Sequence, residues 1–439
     1  MNIILLSGGS GKRLWPLSNN VRSKQFIKIF KKPNKNDYES MIQRVYKQIK
    51  LIDKDANITI ATSKSQVSAI RNQIGANASI SVEPCRRDTF PAIVLATAYL
   101  TDVKNLDKEE PIVVCPVDAY VEQSYFYALS ELSSQVTKNE ANLVLMGIKP
   151  TYPSEMYGYI LPNTFEKVSF VSSFKEKPDL NAAKTYIRKG ALWNGGVFAY
   201  KAKYLLNIAK QLIGFCSYDK LYATYNSLPS LSFDYAVVEK EKKIQVINYN
   251  GLWKDIGTWN TLTDVMEEDF IGNVKLCDDC SNVHVINTLD LPVLAMGLHD
   301  VIISASPDGI LVSDKVQSIN IKPYVDKIHQ QAMFAEKSWG SFHVLDVESE
   351  SLTIKVILNP GQSMNYHSHD RRNEVWSVIS GKGRTIVDGM EQPIKAGDVI
   401  TIQCGCRHTV IAETELKLIE IQIGKDISVE DKHKFELED

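Results

Sequence analysis

No stretch of roughly 18 consecutive apolar residues occurs in this chain, so the sequence offers no membrane-spanning helix. A basic excess is missing too: 50 Lys and Arg against 52 Asp and Glu leave a formal net charge of −2, which argues against a broad electropositive face for nucleic acid. Neither nucleic acid nor a membrane is therefore expected as a partner, and small molecules are. Cysteine is sparse, with seven residues scattered over 439, an odd count unlike the disulfide framework of a small secreted domain. The apolar run Ile3 to Leu6 follows no basic residue and is too short for a secretory leader, which leads to the expectation of a reduced, cytoplasmic protein. Cys277-Asp-Asp-Cys280 has the spacing of half a zinc site, but no Cys or His pair follows to complete it, and two loop thiols are the better reading.

What is present is enough apolar residue for a sizeable core, 44% hydrophobic against 23% charged, and a length that suggests two or three domains. Over residues 1–270, the runs Ile3–Leu6, Ile58–Ala61, Ser79–Val82 and Ile112–Cys115 read as buried parallel strands. Between them Ile42, Val45 and Ile49 share one helical face, as do Val67, Ile70 and Ile74, and Ala92, Ala96 and Tyr99. That alternation predicts a doubly wound, Rossmann-like α/β domain, in which ligands meet the carboxyl ends of the strands. Residues 271–335 change to short β-branched runs separated by Asp, Asn, Gly and Pro, a β-rich linker domain. Residues 336–439 are again β-rich with glycine-bearing turns and predict a small antiparallel barrel or jelly roll.

The first strand runs into Gly8-Gly9-Ser10-Gly11-Lys12-Arg13, where missing Cβ atoms let backbone N–H groups approach phosphate oxygens. It lacks the Walker A order, and a glycine turn after a strand is by itself a common βα connection. Arg13 and then Lys24 add two cations, in keeping with a triphosphate ligand.

The stretch GGSGKRLWPLSNNVRSKQF resembles the opening signature of nucleotidyltransferases acting on sugar 1-phosphates, and its Leu-Trp-Pro-Leu-Ser and Lys-Gln-Phe are similar to the mannose 1-phosphate guanylyltransferase branch. Further blocks follow in the family's order: Glu83-Pro-Cys-Arg-Arg-Asp88-Thr89, Pro116-Val-Asp118, Tyr157-Gly158, Glu176-Lys177-Pro, Trp193-Asn194-Gly-Gly, Asp234-Tyr-Ala-Val237 and Trp253-Lys-Asp255-Ile-Gly. The resemblance implies a reaction between GTP and mannose 1-phosphate giving GDP-mannose and pyrophosphate, with another base such as CTP, another hexose, or a non-catalytic sugar-nucleotide-binding regulator as rivals. It implies Arg13 and Lys24 as the cations stabilising the triphosphate, and Leu6, Gly8, Gly9, Gly11, Glu83, Asp88 and Thr89 around the nucleotide. Gly158, Glu176, Lys177 and Asn194 fall to the sugar phosphate, and Asp118 and Asp255 to Mg²⁺. The carboxylate of Asp88 accepts hydrogen bonds only, which suits the guanine edge and equally a cytosine amine. Asp118 is followed by Ala119 where relatives carry His. A homodimer is one assembly compatible with the chain.

In the C-terminal part, Gly361, His367, His369, Glu374 and Gly381, followed by Gly397 and His408, reproduce the two spaced motifs of a cupin barrel. Three imidazoles and a carboxylate are a ligand set for Zn²⁺ or another divalent transition metal. The barrel resembles the type II mannose 6-phosphate isomerase module, but with Asn365 for a Gln, two extra residues before Glu374, Val375 for a His, and a charged tail without the Asp-x-Tyr-Gly-Arg ending. Those departures lead to the expectation of a metal site without efficient isomerisation.

Overall fold

The computed structural model describes residues 1–9, 11–19, 21–32, 37–328, 331–428 and 430–436; Ser10 of the glycine loop and the last three residues of the tail lie outside them. The chain divides into two compact units: Met1–Ser10, Lys24–Val67 and Asn77–Glu267 form the first, and Gly11–Ser23, Ser68–Ala76 and Glu268–Asp439 the second.

The first unit is built on a nine-stranded sheet in the order Ser79–Glu83, Asn57–Ser63, Asn2–Ser7, Pro111–Pro116, Leu192–Lys201, Leu143–Ile148, Ile244–Tyr249, Val168–Lys175 and Tyr159–Pro162. The first four strands are parallel, whereas Leu192–Lys201 runs antiparallel to both of its long neighbours. Asn2–Ser7 has Asn57–Ser63 and then Ser79–Glu83 on one side and Pro111–Pro116 on the other, so the strand order reverses between them. In such sheets a reversal opens a crevice beyond the strand ends. Gly8, Gly9 and Asp118 lie just past those ends.

Ile42, Val45 and Ile49 are buried along the helix Met41–Ile52, whose start is closed by a capping box between Ser40 and Gln43. The helix Thr89–Ala98 departs from the expected single apolar face, since every residue from Phe90 to Ala98 is buried. It lies between the sheet strands and the helix Ala202–Ile213, so it has no solvent face to keep polar. Ser79–Glu83 is also less buried than expected: it is the edge of the sheet, and only Ser81 is fully covered.

In the second unit, short strands stack in parallel rungs. Phe270–Ile271 pairs with His284–Asn287, which pairs with Val301–Ser306, and Val274–Leu276 pairs with Val293–Ala295. Val283, Val285, Ala295 and Ile303 fill the interior of the stack. Gly11–Ser23 is fastened to this unit from far away in sequence. Asn19 Nδ2 donates to Asp308 Oδ2 at 2.7 Å, and Ser306 Oγ donates to the Pro16 carbonyl at 2.8 Å. Gly309, at φ +141, leaves room for the Trp15 ring, which would lie 2.5 Å from an added Cβ.

The chain then forms two facing antiparallel sheets, one of six strands and one of five. Val356, Leu358, Trp376, Val378, Leu416 and Leu418 fill the space between them. Alternation along Arg372–Ser380 and Leu416–Gly424 carries that inward row from apolar residues at one end to Arg372, Glu374, Glu420 and Gln422 at the other. No helix among the described residues is long and apolar enough to cross a membrane.

Candidate active site and metal centre

The short strands Ala119–Val121 and Trp253–Asp255 pair antiparallel with Asp255 opposite Ala119, and Ile256 N donates to the Asp118 carbonyl at 3.3 Å. This ladder brings together two aspartates that are far apart in sequence. Lys24 is directed at both: its Nζ is 2.9 Å from Asp118 Oδ2 and 3.8 Å from Asp255 Oδ1, and it also donates to the Ile256 carbonyl at 3.2 Å. Both carboxylates remain about two-fifths exposed. Two convergent, solvent-reachable carboxylates at a strand-end crevice fit the ligand set that Mg²⁺ takes, one or two carboxylates completed by phosphate oxygens and water.

Around the glycine loop, Gly9 adopts φ +114 and its carbonyl accepts from Arg86 Nη2 at 3.1 Å. The Leu6 carbonyl accepts from Val117 N at 3.3 Å, which joins the two strand ends at the reversal point. Glu83 accepts from the Tyr225 hydroxyl at 2.9 Å, and burial pushes its carboxyl above the ordinary value. Asp88 sits at φ 69, a left-handed conformation uncommon for a residue with a Cβ, and its carboxylate caps the Thr89–Ala98 helix through Thr89 N at 2.7 Å. The Thr89 hydroxyl accepts from Phe233 N at 2.8 Å. Gly11, at φ 62, and the exposed Arg13 belong to the second unit, where the neighbouring Lys12 pairs with Asp326 at 2.7 Å.

The residues expected at the sugar phosphate also come together. Asn194 N donates to the Gly158 carbonyl at 2.8 Å. A Cβ at Gly158 would lie 2.5 Å from Glu176 Oε2 and 2.8 Å from the Phe174 ring, so only glycine allows that approach. Glu176 is 7% exposed; its Oε1 is 3.1 Å from Lys177 Nζ, while its Oε2 is buried without a hydrogen-bond partner among the described residues. Asn194 donates from Nδ2 to Asp234 Oδ1 at 2.6 Å and accepts at Oδ1 from Gly196 N at 3.1 Å.

An aromatic wall links the two groups, and sequence reasoning assigned it no role. Trp193, next to Asn194, is 4.8 Å from the Tyr157 ring and 5.0 Å from Tyr152, and Tyr157 is 5.6 Å from Trp253, two residues before Asp255. Burial, with Asp255 beside it, raises the Tyr157 hydroxyl well above its usual range, so it stays protonated as a donor. The signal was available in that both tryptophans and Tyr157 lie inside the quoted blocks.

In the barrel, His367, His369 and His408 are buried with ligand nitrogens within 4.8 Å of one another. Each ring points its Nδ1 at a backbone carbonyl: His367 to Asn365 at 2.6 Å, His408 to Cys406 at 2.9 Å, and His369 to Asp431. Donation of Nδ1–H to those carbonyls assigns the tautomer and leaves each Nε2 as an acceptor, that of His369 already meeting Arg372 Nη2 at 3.0 Å. Glu374 faces the same point, 3.0 Å from His369 Nε2 and 3.3 Å from His408 Nε2, and His408 Nε2 is a buried atom without a hydrogen-bonded partner among the described residues. Arg372 meets only part of this acceptor set, and three imidazoles with a carboxylate converging in this way fit a divalent metal.

Further polar groups in the barrel went unread in the sequence. Arg372 reaches Glu374 Oε1 at 3.2 Å and His369 Nε2 at 3.0 Å, and Trp376 Nε1 donates to Glu374 Oε2 at 3.1 Å. Glu420, bonded to Gln422 Nε2 at 2.6 Å, is pushed up to about 8 by burial and by Glu374. The charged tail, expected only as an ending without the Arg-bearing motif, folds back: His433–Lys434 pairs with His367–Ser368, and Asp431 accepts from Asp370 N at 3.0 Å. Lys432 is thereby drawn among Glu420, Glu374 and Arg372.

Comparison with known proteins agrees with both halves. Residues 2–270 match the family model described as nucleotidyl transferase, and residues 354–422 match the cupin domain. The chain is 29% identical to the xanthan biosynthesis protein XanB of Xanthomonas campestris, over 99% of this chain and 97% of the relative. It is 28% identical to mannose-1-phosphate guanylyltransferase RfbM of Salmonella typhimurium, over 99% and 96%. Among solved structures, one titled mannose-1-phosphate geranyltransferase from Thermus thermophilus superposes with a TM-score of 0.63 at 26% identity, covering 74% of this chain and 98% of that one.

Proposed function

This chain belongs to the nucleotidyl transferase family, and from that premise we propose that it joins GTP and mannose 1-phosphate to give GDP-mannose and pyrophosphate, supplying activated sugar for polysaccharide or glycoconjugate synthesis. The observation that carries the reading is the Asp118–Lys24–Asp255 group at the strand reversal, joined by an aromatic wall to the Glu176, Lys177 and Asn194 group. A protein that only bound a sugar nucleotide would have no need to converge two carboxylates on a lysine.

In the reaction a phosphate oxygen of the sugar phosphate attacks the α-phosphorus, the new P–O bond forms, and the bond to the β-phosphate breaks with its electron pair leaving on pyrophosphate. No covalent side chain is required, so catalysis is positioning and charge neutralisation. Lys24 and Arg13 stabilise the triphosphate and the charge gathering on the leaving group. Lys177 holds the sugar phosphate, while Glu176 and Asn194 orient the hexose. Gly8, Gly9 and Gly11 bring backbone N–H groups to the nucleotide, and Asp88 reads the base edge. Asp118 and Asp255 would hold Mg²⁺, which neutralises phosphate charge when bound. His367, His369, Glu374 and His408 would hold Zn²⁺ or a similar transition metal, in a barrel that does not isomerise mannose 6-phosphate efficiently. All seven cysteines are free, which supports a reducing, cytoplasmic setting.

Pyrophosphate release measured with each of four nucleoside triphosphates against several hexose 1-phosphates tests the reading. GTP with mannose 1-phosphate should lead by at least about tenfold in kcat/KM. Preference for another pair would overturn the substrate assignment, and no release with any pair would leave a binding protein.

A further inference from the structure

Asp234 opens a single helical turn, Asp234–Val238, in which Ala236, Val237 and Val238 pack into the core of the first unit. That packing accounts for the apolar residues and leaves the carboxylate without a reason. The side chain of Asp234 is half-buried and turns toward the sugar-phosphate group, where its Oδ1 accepts from Asn194 Nδ2 at 2.6 Å. The charged groups facing it are Glu176 and Lys177, and Tyr235 is beside that lysine.

The charges there do not balance. Two carboxylates share one ammonium, and that ammonium sits on Glu176 Oε1 at 3.1 Å. Glu176 Oε2 is left buried with no donor among the described residues, although the residue is 7% exposed. A desolvated carboxylate oxygen without a donor is costly, and a neutral hydroxyl is the donor that relieves it without adding charge. Lys177 reaches its position through φ 42, a conformation lysine rarely adopts, so the arrangement is held against local preference. Asn194 is likewise fixed at both ends of its amide, by Asp234 and by Gly196 N.

We propose that Asp234 is a hexose-binding residue: together with Glu176 it accepts hydroxyl groups of the sugar ring, and its bond to Asn194 sets the amide at the same ring. The inference rests on the reading of this site as the sugar-phosphate site. It adds a specificity-determining carboxylate drawn from a block of the chain that had no chemistry attached to it.

The test is a functional-group cycle. Binding of mannose 1-phosphate and its monodeoxy analogues is followed by intrinsic fluorescence, for which Trp193 and Trp253 stand beside the site, and kcat/KM is measured in parallel with GTP. In the unaltered protein, at least one monodeoxy analogue should bind about tenfold or more weakly, because a polar group is left unpaired. In Asp234→Ala the same analogue should be penalised about twofold or less, and the KM for mannose 1-phosphate should rise about tenfold or more while that for GTP stays within about twofold. Asp234→Asn keeps an acceptor for Asn194 and should fall between the two, which separates loss of a sugar contact from loss of the fold. Equal deoxy penalties in the variants and the unaltered protein would reduce Asp234 to a brace for Asn194 and overturn the proposal. Preference of the unaltered protein for a different hexose 1-phosphate would instead defeat the mannose reading, and the same cycle on that sugar's deoxy analogues then decides the role of Asp234.

Discussion

Lys24 Nζ and Asp118 Oδ2 lie 2.9 Å apart, and Asp255 Oδ1 is 3.8 Å from the same ammonium, so a lysine neutralises the pair of carboxylates proposed to hold the metal. Lysine and a divalent cation then compete for the same oxygens. Removing the ammonium in Lys24→Met should tighten Mn²⁺ binding by roughly fivefold, given how weakly partly exposed charges couple. Turnover should fall by about tenfold or more, because the proposed triphosphate contact goes with it. Counting free Mn²⁺ by electron paramagnetic resonance checks the first half; binding that is unchanged or weaker would show that no competition exists.

Asp118→Asn and Asp255→Asn keep the size of each side chain and remove its charge. Each should cost about 100-fold in kcat at saturating Mg²⁺ with an unaltered circular dichroism spectrum. Near-normal rates in either variant would remove that residue from the metal site.

Gly158→Ala places a methyl group 2.5 Å from Glu176 Oε2 and 2.8 Å from the Phe174 ring, so Glu176 must move. The KM for mannose 1-phosphate is expected to rise about tenfold with that for GTP little changed. Steady-state kinetics with each substrate varied in turn decides it, and equal rises in both would place Gly158 outside the sugar side.

Burial and the nearby Glu176 push the Asp234 carboxyl up from 3.8 to about 7. Between those values the folded protein keeps a proton that the unfolded chain has lost, so its stability contribution falls as pH rises through the window and levels off above it. The melting temperature of Asp234→Asn should match the unaltered protein near pH 4 and exceed it by about 1–3 °C at pH 8. A difference that does not change with pH would contradict the raised pKa.

For the barrel, purified protein should contain about one equivalent of a divalent transition metal by elemental analysis, and His408→Ala should lose most of it. Coupled detection should find conversion of mannose 6-phosphate to fructose 6-phosphate far slower than the transferase reaction. Metal-free protein would refute the first statement, and comparable rates would refute the second.

The sites that could be read from the sequence were those spelled out in short blocks. His367, His369, Glu374 and His408 could be grouped because cupin motifs keep their ligands at fixed spacings, and they do converge. Only resemblance pairs Asp118 with Asp255 in the sequence, and a ladder of three residues per strand is what brings them together. Pairings of that length carry no periodic signal. The direction of Lys24 was not readable either, since a lysine near a glycine loop looks the same whether it faces phosphate or carboxylate. Glu420 and Gln422 could have been found by parity: they share the inward row of Leu416 and Leu418, and polar residues on such a row ask for an explanation. The helix Thr89–Ala98 is apolar all round, so a period of one face does not describe it.

Asn19 bonds to Asp308, 289 positions further along the chain, and Pro16 and Trp15 likewise depend on Ser306 and Gly309. A ribosome adding about 5–20 residues per second reaches Asp308 roughly 15 to 60 s after Asn19. Until then the segment carrying Arg13 lacks its distant anchors, while the strand just before it can already be pairing. A nascent chain halted near residue 270 would hold the complete nine-stranded sheet and leave Gly11–Ser23 unanchored. With Arg13 in the proposed triphosphate-stabilising role, a chain cut at that boundary should fold its sheet yet turn over poorly.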